Sequence, residues 1–338
     1  MTSSTRRLLV IASISSIAIF VCLGDVAPAQ QPQLRSMQYS KGSAAAAERW
    51  QREVRSRLVE LMKLDDLVND RPQIALDPRV IGVEQFDAYR QQEVEINATS
   101  QRRIRVLATV PKNVDGPWPA VVCIHGHGGN RRIVYDKRSV YKGFAAELAA
   151  RGYATASVNV GQHEVYEQGR TLMGERLWDV MRCVDYLAAL PGVDAGRIGC
   201  GGLSLGGEMA MWLGGIDTRM AATVSSGFLT RMDQMEHNHC MCWKFDGLRE
   251  LVDFADIYAL TAPRALLCQN GVKEPASQFP PSIAREAMAE VRQAYVDTGK
   301  ADNVALRVHD GGHEIDLPNL LAFFDRHLKS PATGSNAD

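Results

Sequence analysis

Short apolar runs alternate with longer segments of helical periodicity through most of the chain. The apolar runs that predict strands are Ala120–Ile124, Ala154–Asn159, Arg197–Cys200, Ala221–Ser225, Ala265–Gln269 and Val304–Val308. The segments that predict helices are Tyr141–Arg151, Gly174–Leu190, the residues directly after Ser204, Ile283–Val296 and Leu317–Leu328. Continuous apolar strands suit burial on both faces, and alternation with helices indicates parallel pairing. The pattern therefore predicts an α/β fold with a doubly wound, mainly parallel sheet.

Two regions depart from this alternation. Before it, Ala44–Val68 has apolar residues at helical spacing, which predicts an N-terminal helix. Gln92–Ile96 and Arg103–Val110 are joined by a polar turn, which predicts a β-hairpin. Within the alternation, residues 227–260 are rich in Met, His, Cys and aromatic side chains, as is typical of a cap-like insertion or a substrate loop.

The N-terminus has the three regions of an export signal. Arg6 and Arg7 precede the apolar stretch Leu8–Leu23, and the small residues of Ala27–Ala29 follow it. A membrane anchor is the alternative, but the stretch is short and interrupted by serines. We therefore expect removal of residues 1–29, a secreted or periplasmic protein, and no membrane association after cleavage.

These patterns divide the chain into segments. The expected order is a signal peptide (1–29), a leader with the N-terminal helix (30–78), the α/β domain (79–330) with its insertion (227–260), and a flexible tail (331–338). Of the 338 residues, 46% are apolar and 23% are charged, which suits a globular protein with a sizeable core. The net charge of −1 gives no general attraction to nucleic acid. The oligomeric state stays open.

A serine lies between glycines at the end of one predicted strand. Gly202–Gly206 fits the pattern G-x-S-x-G, in which a strand turns sharply into a helix and exposes the serine at the apex. Ser204 is therefore the candidate nucleophile. A hydroxyl is a poor nucleophile at neutral pH and needs an adjacent base.

The base and the acid are expected downstream, in the order Ser, acid, His. His313 follows the last predicted strand in a glycine-rich loop, whereas His309 is expected inside that strand and His327 lies on the last helix. Glu274 follows the strand Ala265–Gln269 and is the candidate acid. Asp233 and Glu236, which follow the preceding strand, remain alternatives.

Backbone amides are expected to stabilise the negative oxygen of a tetrahedral intermediate. One donor is the Leu205 amide, at the start of the helix after the serine. The loop of residues 125–129, which contains two histidines and three glycines, supplies the other, for which we favour His127. The side chains that we expect to contact substrate are His125, Gln162, His163 and Trp243.

The insertion also contains residue types that could bind a metal. His237, His239, Cys240 and Cys242 are the ligand types that zinc prefers, but they crowd four ligands into six residues. A loop at the mouth of the site is the favoured interpretation, so we expect no metal and no cofactor. Two cysteines separated by one residue are also poorly placed for a disulfide.

Four motifs carry a resemblance to a known family. They are His125–Gly128, Gly202–Gly207, Ala262–Leu267 and Gly311–Glu314. Through them the chain resembles the α/β-hydrolase superfamily, in the branch of dienelactone hydrolase-like proteins and acetyl xylan esterases, over about residues 103–328. The resemblance implies a serine carboxylic ester hydrolase with Ser204, His313 and Glu274 as its triad. It departs from the family at the acid, where Asp is usual.

The leading hypothesis is thus a secreted serine esterase for small acyl esters of carbohydrates, with a small-molecule or carbohydrate ester as its partner. A dienelactone hydrolase-like activity and a peptidase activity on the same triad are alternatives. A non-catalytic binding protein with the same fold is a further one, although such proteins typically lose a triad member.

Overall fold

The computed structural model describes residues 35–236 and 239–329, and all of them belong to one compact unit. In this part of the chain nine strands form one sheet, in the order β1-β2-β3-β5-β4-β6-β7-β8-β9. The strands are β1 Arg79–Gln85, β2 Tyr89–Asn97, β3 Arg103–Pro111, β4 Trp118–Ile124, β5 Ala154–Val158, β6 Val193–Leu203, β7 Met220–Ser226, β8 Ala265–Gly271 and β9 Val304–His309. The expected signal peptide and tail lie outside the described residues.

The sheet changes from antiparallel to parallel along its width. The strands β1, β2 and β3 pair in antiparallel order, and β3 pairs antiparallel with β5. From β5 through β9 every pairing is parallel. The prediction of a mainly parallel α/β sheet with an N-terminal hairpin is therefore confirmed.

Helices cover both faces of the sheet. They are α1 Ala44–Leu61, α2 Asp65–Asn69, α3 Phe144–Ala150, α4 Leu172–Ala189, α5 Leu205–Ile216, α6 Met232–Met235, α7 Leu248–Leu251, α8 Phe254–Ala259, α9 Pro281–Asp297 and α10 Leu317–Phe324. Successive residues of β4 face opposite sides, as a pleated strand requires. Val122 and Ile124 join the core cluster that includes residues of α4 and α5, while Val121 and Cys123 join the one that includes residues of α3 and α10.

Two predicted details differ from the structure. The single helix expected over residues 44–68 is divided, because Lys63 takes a positive φ of 60° between α1 and α2. The strand β1 has no counterpart in the prediction, since all seven of its residues are exposed and lack the alternation that marks a half-buried strand.

The described part of the region between β7 and β8 includes the short α-helices α6, α7 and α8. Its first part, with α6 and α7, lies beyond the carboxyl end of β7. In its last part, α8 packs against α5 and α9, as a crossover helix between two parallel strands does. Within the described ranges, no helix is long and apolar enough to cross a membrane.

The segment before β1 is joined to the rest of the fold by buried polar contacts. The Gln51 amide of α1 donates to the carbonyl oxygens of Ala259 and Ala262 at 3.1 and 2.8 Å. Arg55 donates to the carbonyl oxygens of Gly215 and Leu260 at 2.7 and 2.5 Å. These carbonyls belong to the ends of α5 and α8 and to the turn after α8, so α1 satisfies groups that helix ends leave unpaired.

Candidate active site

Ser204 lies at the turn between β6 and α5. Its φ of 61° and ψ of −127° form a strained conformation that residues with a Cβ rarely adopt. The turn is held on one side by the Ser204 amide, which donates to the Ser226 carbonyl at 2.9 Å. The conformation lifts the side chain out at the carboxyl edge of the parallel sheet, where ligands of α/β folds bind.

The two glycines of the G-x-S-x-G pattern are required by close backbone contacts. A Cβ at Gly202 would overlap the carbonyl of Gly206, and a Cβ at Gly206 would overlap the carbonyl oxygen of Ile124. These neighbours are backbone atoms and cannot rotate away. Only glycine at both positions therefore lets β6 enter α5 so tightly beside β4.

His313 and Glu274 form a hydrogen-bonded pair at the same edge. The His313 Nδ1 atom lies 2.9 and 3.1 Å from the two carboxylate oxygens of Glu274. The Glu274 side chain is almost fully buried, whereas that of His313 is about a third exposed. This arrangement fixes the ring through Nδ1 and leaves Nε2 available for proton transfer.

The loop that carries His313 packs beside the serine turn. Gly227, the residue after β7, takes a φ of 59°, and a Cβ there would lie 2.9 Å from Cε1 of the His313 ring. Since Ser226 accepts the hydrogen bond from the Ser204 amide, the ring and the serine turn share one wall. No hydrogen bond joins the Ser204 hydroxyl to His313 among the described side chains. In enzymes without a bound substrate, catalytic hydrogen bonds are often longer and tighten in the complex.

Two residues that the sequence analysis did not single out contact the histidine or the segments beside it. The Phe279 ring stacks on that of His313, with centroids 5.6 Å apart and planes 14° apart. Gln269, buried at the end of β8, accepts a hydrogen bond from the Ser226 hydroxyl and donates to the carbonyl of Asp316. Their signal in the sequence was weak, because a lone aromatic and a lone amide have many other uses.

The alternative acids and bases lie in other settings. Asp233 pairs with Arg249 and is largely exposed, and Glu236 pairs with Lys244 and Arg249. These ion pairs hold the pKa of Glu236 at about 2. His309 ends β9, and its Nδ1 accepts from the Gly311 amide at 3.2 Å. The geometry therefore favours Glu274 and His313.

Backbone amides of two elements lie next to the serine turn. The loop after β4 passes directly over it, since a Cβ at Gly126 would lie 3.0 Å from the Ser204 Cβ. The Gly126 amide is already occupied by the Tyr141 hydroxyl at 2.5 Å. In the described part of the chain, the amides of His127 and Leu205 have no hydrogen-bond partner, so both can serve an oxyanion.

Two of the expected substrate contacts need correction. His125 is fully buried, with its Nδ1 against the Gly126 carbonyl and its Nε2 accepting from the Val160 amide at 3.1 Å. Trp243 is also fully buried and packs edge-on against Phe254. Neither side chain reaches a surface that a substrate could touch, so His125 ties two loops together and Trp243 belongs to the core.

The other two expected contacts lie at the mouth of the site. Gln162 lines an open groove of about 1610 Å³ that also includes Gly128, Gly129 and several arginines. Within that groove Tyr166 is 62% exposed. His163 is exposed and stacks on His127, with ring centroids 5.5 Å apart.

Burial shifts the proton affinity of two groups near the serine. Burial, with Arg176 and other histidines nearby, lowers the pKa of His127 to about 4, so the ring is neutral at physiological pH. Glu208, one turn into α5, is fully buried, and burial raises its pKa to about 8. One of its carboxylate oxygens has no partner among the described residues.

Two family models match the chain. The BD-FAE model matches residues 108–276, half of the chain, and a model described as an abhydrolase family matches residues 34–170. Among curated proteins, the "Putative hydrolase YtaP" of Bacillus subtilis (strain 168) is 24% identical over 279 residues. That match covers 74% of this chain and 90% of the relative.

Solved structures of esterases share the fold. A "putative acetyl xylan esterase" from Bacteroides fragilis superposes with a TM-score of 0.69 at 20% identity, over 82% of this chain and 79% of that one. A glucuronoyl esterase from Solibacter usitatus superposes with a TM-score of 0.64 at 16% identity, over 89% of this chain and 98% of that one. At these identities the likeness establishes the fold.

Proposed function

Since this chain belongs to the α/β-hydrolase superfamily, in its BD-FAE and acetyl xylan esterase-like branch, we propose that it is a serine carboxylic ester hydrolase. The observation that carries the proposal is the buried Glu274 carboxylate on Nδ1 of His313, beside the strained serine turn. The matched family and relative are hydrolases, and we infer the serine mechanism from the geometry of the site.

The mechanism has two halves. The Ser204 oxygen attacks the ester carbonyl while Nε2 of His313 takes the hydroxyl proton and Glu274 stabilises the imidazolium. The amides of Leu205 and His127 hold the negative oxygen of the tetrahedral intermediate. The proton on His313 then passes to the leaving alcohol, which leaves an acyl group on Ser204. Water, deprotonated by the same ring, releases the acid and restores the serine.

We propose small acyl esters of carbohydrates, of the acetyl type, as the substrate. Two features support this class. Several of the structural neighbours are carbohydrate esterases by name. The open groove beside the loop of residues 125–129 is lined by Arg102, Arg105 and Arg131 among others, whose donors suit a hydroxyl-rich chain better than a lipid.

We also propose that the protein acts outside the cytoplasm. The support is the arrangement of Arg6 and Arg7, the apolar stretch after them and the small residues of Ala27–Ala29. Comparing the amino-terminal residue of the purified protein with the residue after position 29 tests this directly.

Replacement of the nucleophile tests the proposed reaction. Ser204→Ala should lower kcat for p-nitrophenyl acetate about 10⁴-fold or more, because no other group supplies the attacking oxygen. A fluorophosphonate should label the wild type at one site and fail to label this variant. Ser56→Ala, an exposed serine of α1, is the matched control and should retain both activity and labelling.

Circular dichroism should show that Ser204→Ala keeps its fold. Equal labelling of Ser204→Ala and the wild type would contradict the assignment of the nucleophile. A wild type that hydrolyses no acetylated sugar, uronate methyl ester or lactone, and that takes no label, would instead indicate a binding protein with a hydrolase fold.

A further inference from the structure

Four metal-binding side chains from three loops converge beside the serine turn. His127 lies in the loop after β4, His163 in the loop after β5, and Cys240 and Cys242 in the region after β7. One ligand atom from each side chain lies within 4.8 Å of all the others. From this convergence we propose that His127, His163, Cys240 and Cys242 bind one zinc ion. The proposal is independent of the ester hydrolysis argued above.

The distances fit a tetrahedral ion. The Nε2 atom of His127 lies 3.2 Å from Sγ of Cys242, and Nε2 of His163 lies 3.3 Å from Sγ of Cys240. Zinc bonds of about 2.3 Å to sulfur and about 2.0 Å to nitrogen place such a pair of ligands about 3.5 Å apart. Two thiolates and two imidazoles are also a donor set that favours zinc over harder cations.

A buried arginine lies beside one of the proposed ligands. The Arg176 side chain is fully buried, and its Nη1 lies 3.3 Å from Sγ of Cys242. Glu208 lies near enough to attract Arg176 electrostatically, but within the described ranges no carboxylate forms a salt bridge with the guanidinium. A buried guanidinium without a salt-bridged acid is costly unless another anion lies beside it. A metal-bound thiolate at Cys242 is such an anion.

Arg176 also orders the site from outside the ligand set. It donates to the Gln162 carbonyl, the residue before His163, as well as to the sulfur of Cys242. It therefore joins two of the three loops that provide ligands. Groups in this position orient the ligands of metal sites and tune their basicity.

Zinc binding here needs no oxidant. The two thiols lose their protons to solvent, the two imidazoles bind through neutral nitrogen, and the ion keeps its charge of two. A disulfide between Cys240 and Cys242 is the competing use of these sulfurs, but only one residue separates them and the ring would be strained. His237, which the sequence placed in a metal set, lies outside the described residues.

Four protein ligands leave no open position, so the ion is structural. It holds together the loop that carries the His127 amide, the loop after β5 and the region after β7. His239, in that last region, packs on Phe279, which in turn stacks on His313. Removal of zinc should therefore loosen the mouth of the active site rather than remove a reacting group.

The test is the metal content of the full chain. Protein expressed in zinc-supplemented medium and purified without chelators should contain about one zinc per chain by elemental mass spectrometry. The double variant Cys240→Ser/Cys242→Ser should lose at least about tenfold of that content, since both thiolates are gone. His239→Gln, a histidine of the same region outside the set, is the matched control and should keep one zinc.

Metal binding by the wild type tests the site even if the double variant does not fold. Protein stripped with a chelator and loaded with Co²⁺ should show the intense visible absorption of tetrahedral cobalt bound to thiolates. Zinc added to stripped protein should also raise Tm. A wild type that contains no zinc and gives no cobalt spectrum overturns the proposal, and so does an active protein with Cys240 and Cys242 joined in a disulfide.

Discussion

At the scale of single residues, Glu274 is the most informative side chain of the site. It is a glutamate at a position where the family usually has aspartate, yet both of its carboxylate oxygens reach Nδ1 of His313. The loop after β8 accommodates the longer side chain in a nearly closed pocket. Burial of the carboxylate beside the ring keeps their interaction from being screened by water.

Replacement of this acid should slow the reaction without unfolding the protein. Glu274→Gln preserves the shape but removes the charge, and we expect kcat to fall by about 10²- to 10⁴-fold because the imidazolium loses its stabilising partner. The measurement is kcat for p-nitrophenyl acetate across pH. Asp233→Asn is the matched control, since that carboxylate is exposed and paired with Arg249. A greater loss in Asp233→Asn would refute the assignment.

The sequence predicts candidate reacting residues more readily than contact residues. Ser204 is predicted by a motif whose glycines a tight strand-to-helix turn requires, and His313 and Glu274 are predicted by chain order in a recognised fold. His125 and Trp243 were expected to contact substrate, but both are buried. A polar or aromatic residue type in a loop does not show which way the side chain points. The proposed zinc set was anticipated only in part: the sequence grouped Cys240 and Cys242 with nearby histidines, whereas His127 and His163 come from two other loops far apart in the chain.

At the scale of elements, the junction of β6 and α5 is the most constrained. The helix enters so close to β4 that the backbone of Gly206 touches that of Ile124. A Cβ at position 206 would overlap the carbonyl oxygen of Ile124, so the backbone of α5 or β4 would have to shift. The strain stored in Ser204 is thus maintained by packing on both sides of it.

A methyl group at this junction should be severely destabilising. Gly206→Ala should lower the free energy of unfolding by about 3 kcal/mol or more, because the neighbouring atoms are backbone and cannot rotate away. Chemical denaturation gives the value. Gly82→Ala in β1 is the control, since its Cβ would meet only the Glu93 Cβ at 3.7 Å. Equal stability of Gly206→Ala and the wild type would show that the turn is not so tightly packed.

Strands that are buried on both faces were predicted from the sequence, whereas the exposed edge strand and the break in the N-terminal helix were not. The parallel strands are recognisable because both of their faces are apolar, and β5 and β8 match their predicted positions closely. The edge strand β1 has no buried face and gives no periodic signal. The break between α1 and α2 was hidden because apolar spacing continues across Lys63, whose backbone takes a positive φ.

At the scale of the whole molecule, Glu208 links stability to pH. Its pKa is about 8 in the folded protein and about 4.5 when the chain is unfolded and solvated. Between these values the folded state binds more protons than the unfolded state. The free energy of unfolding should therefore fall as pH rises through that window, by at most about 1.4 kcal/mol per pH unit from this group.

The variant Glu208→Gln should remove this dependence. We expect it to be more stable than the wild type at pH 8 and to show a flatter profile of unfolding free energy between pH 5 and about 8. Urea denaturation at several pH values measures both. Glu48→Gln, on the exposed face of α1, is the control and should leave the slope unchanged. Parallel profiles for Glu208→Gln and the wild type would show that the group is ionised in the folded protein.

The contacts of α1 also affect the order in which the parts of the chain fold. The carbonyls that Gln51 and Arg55 require lie between 160 and 211 residues further along the chain. During synthesis this helix emerges from the ribosome early, but its last polar partner, the carbonyl of Ala262, is added much later. The helix is therefore made early and reaches its final contacts late, so a nascent chain cannot complete the native fold until most of it has been synthesised.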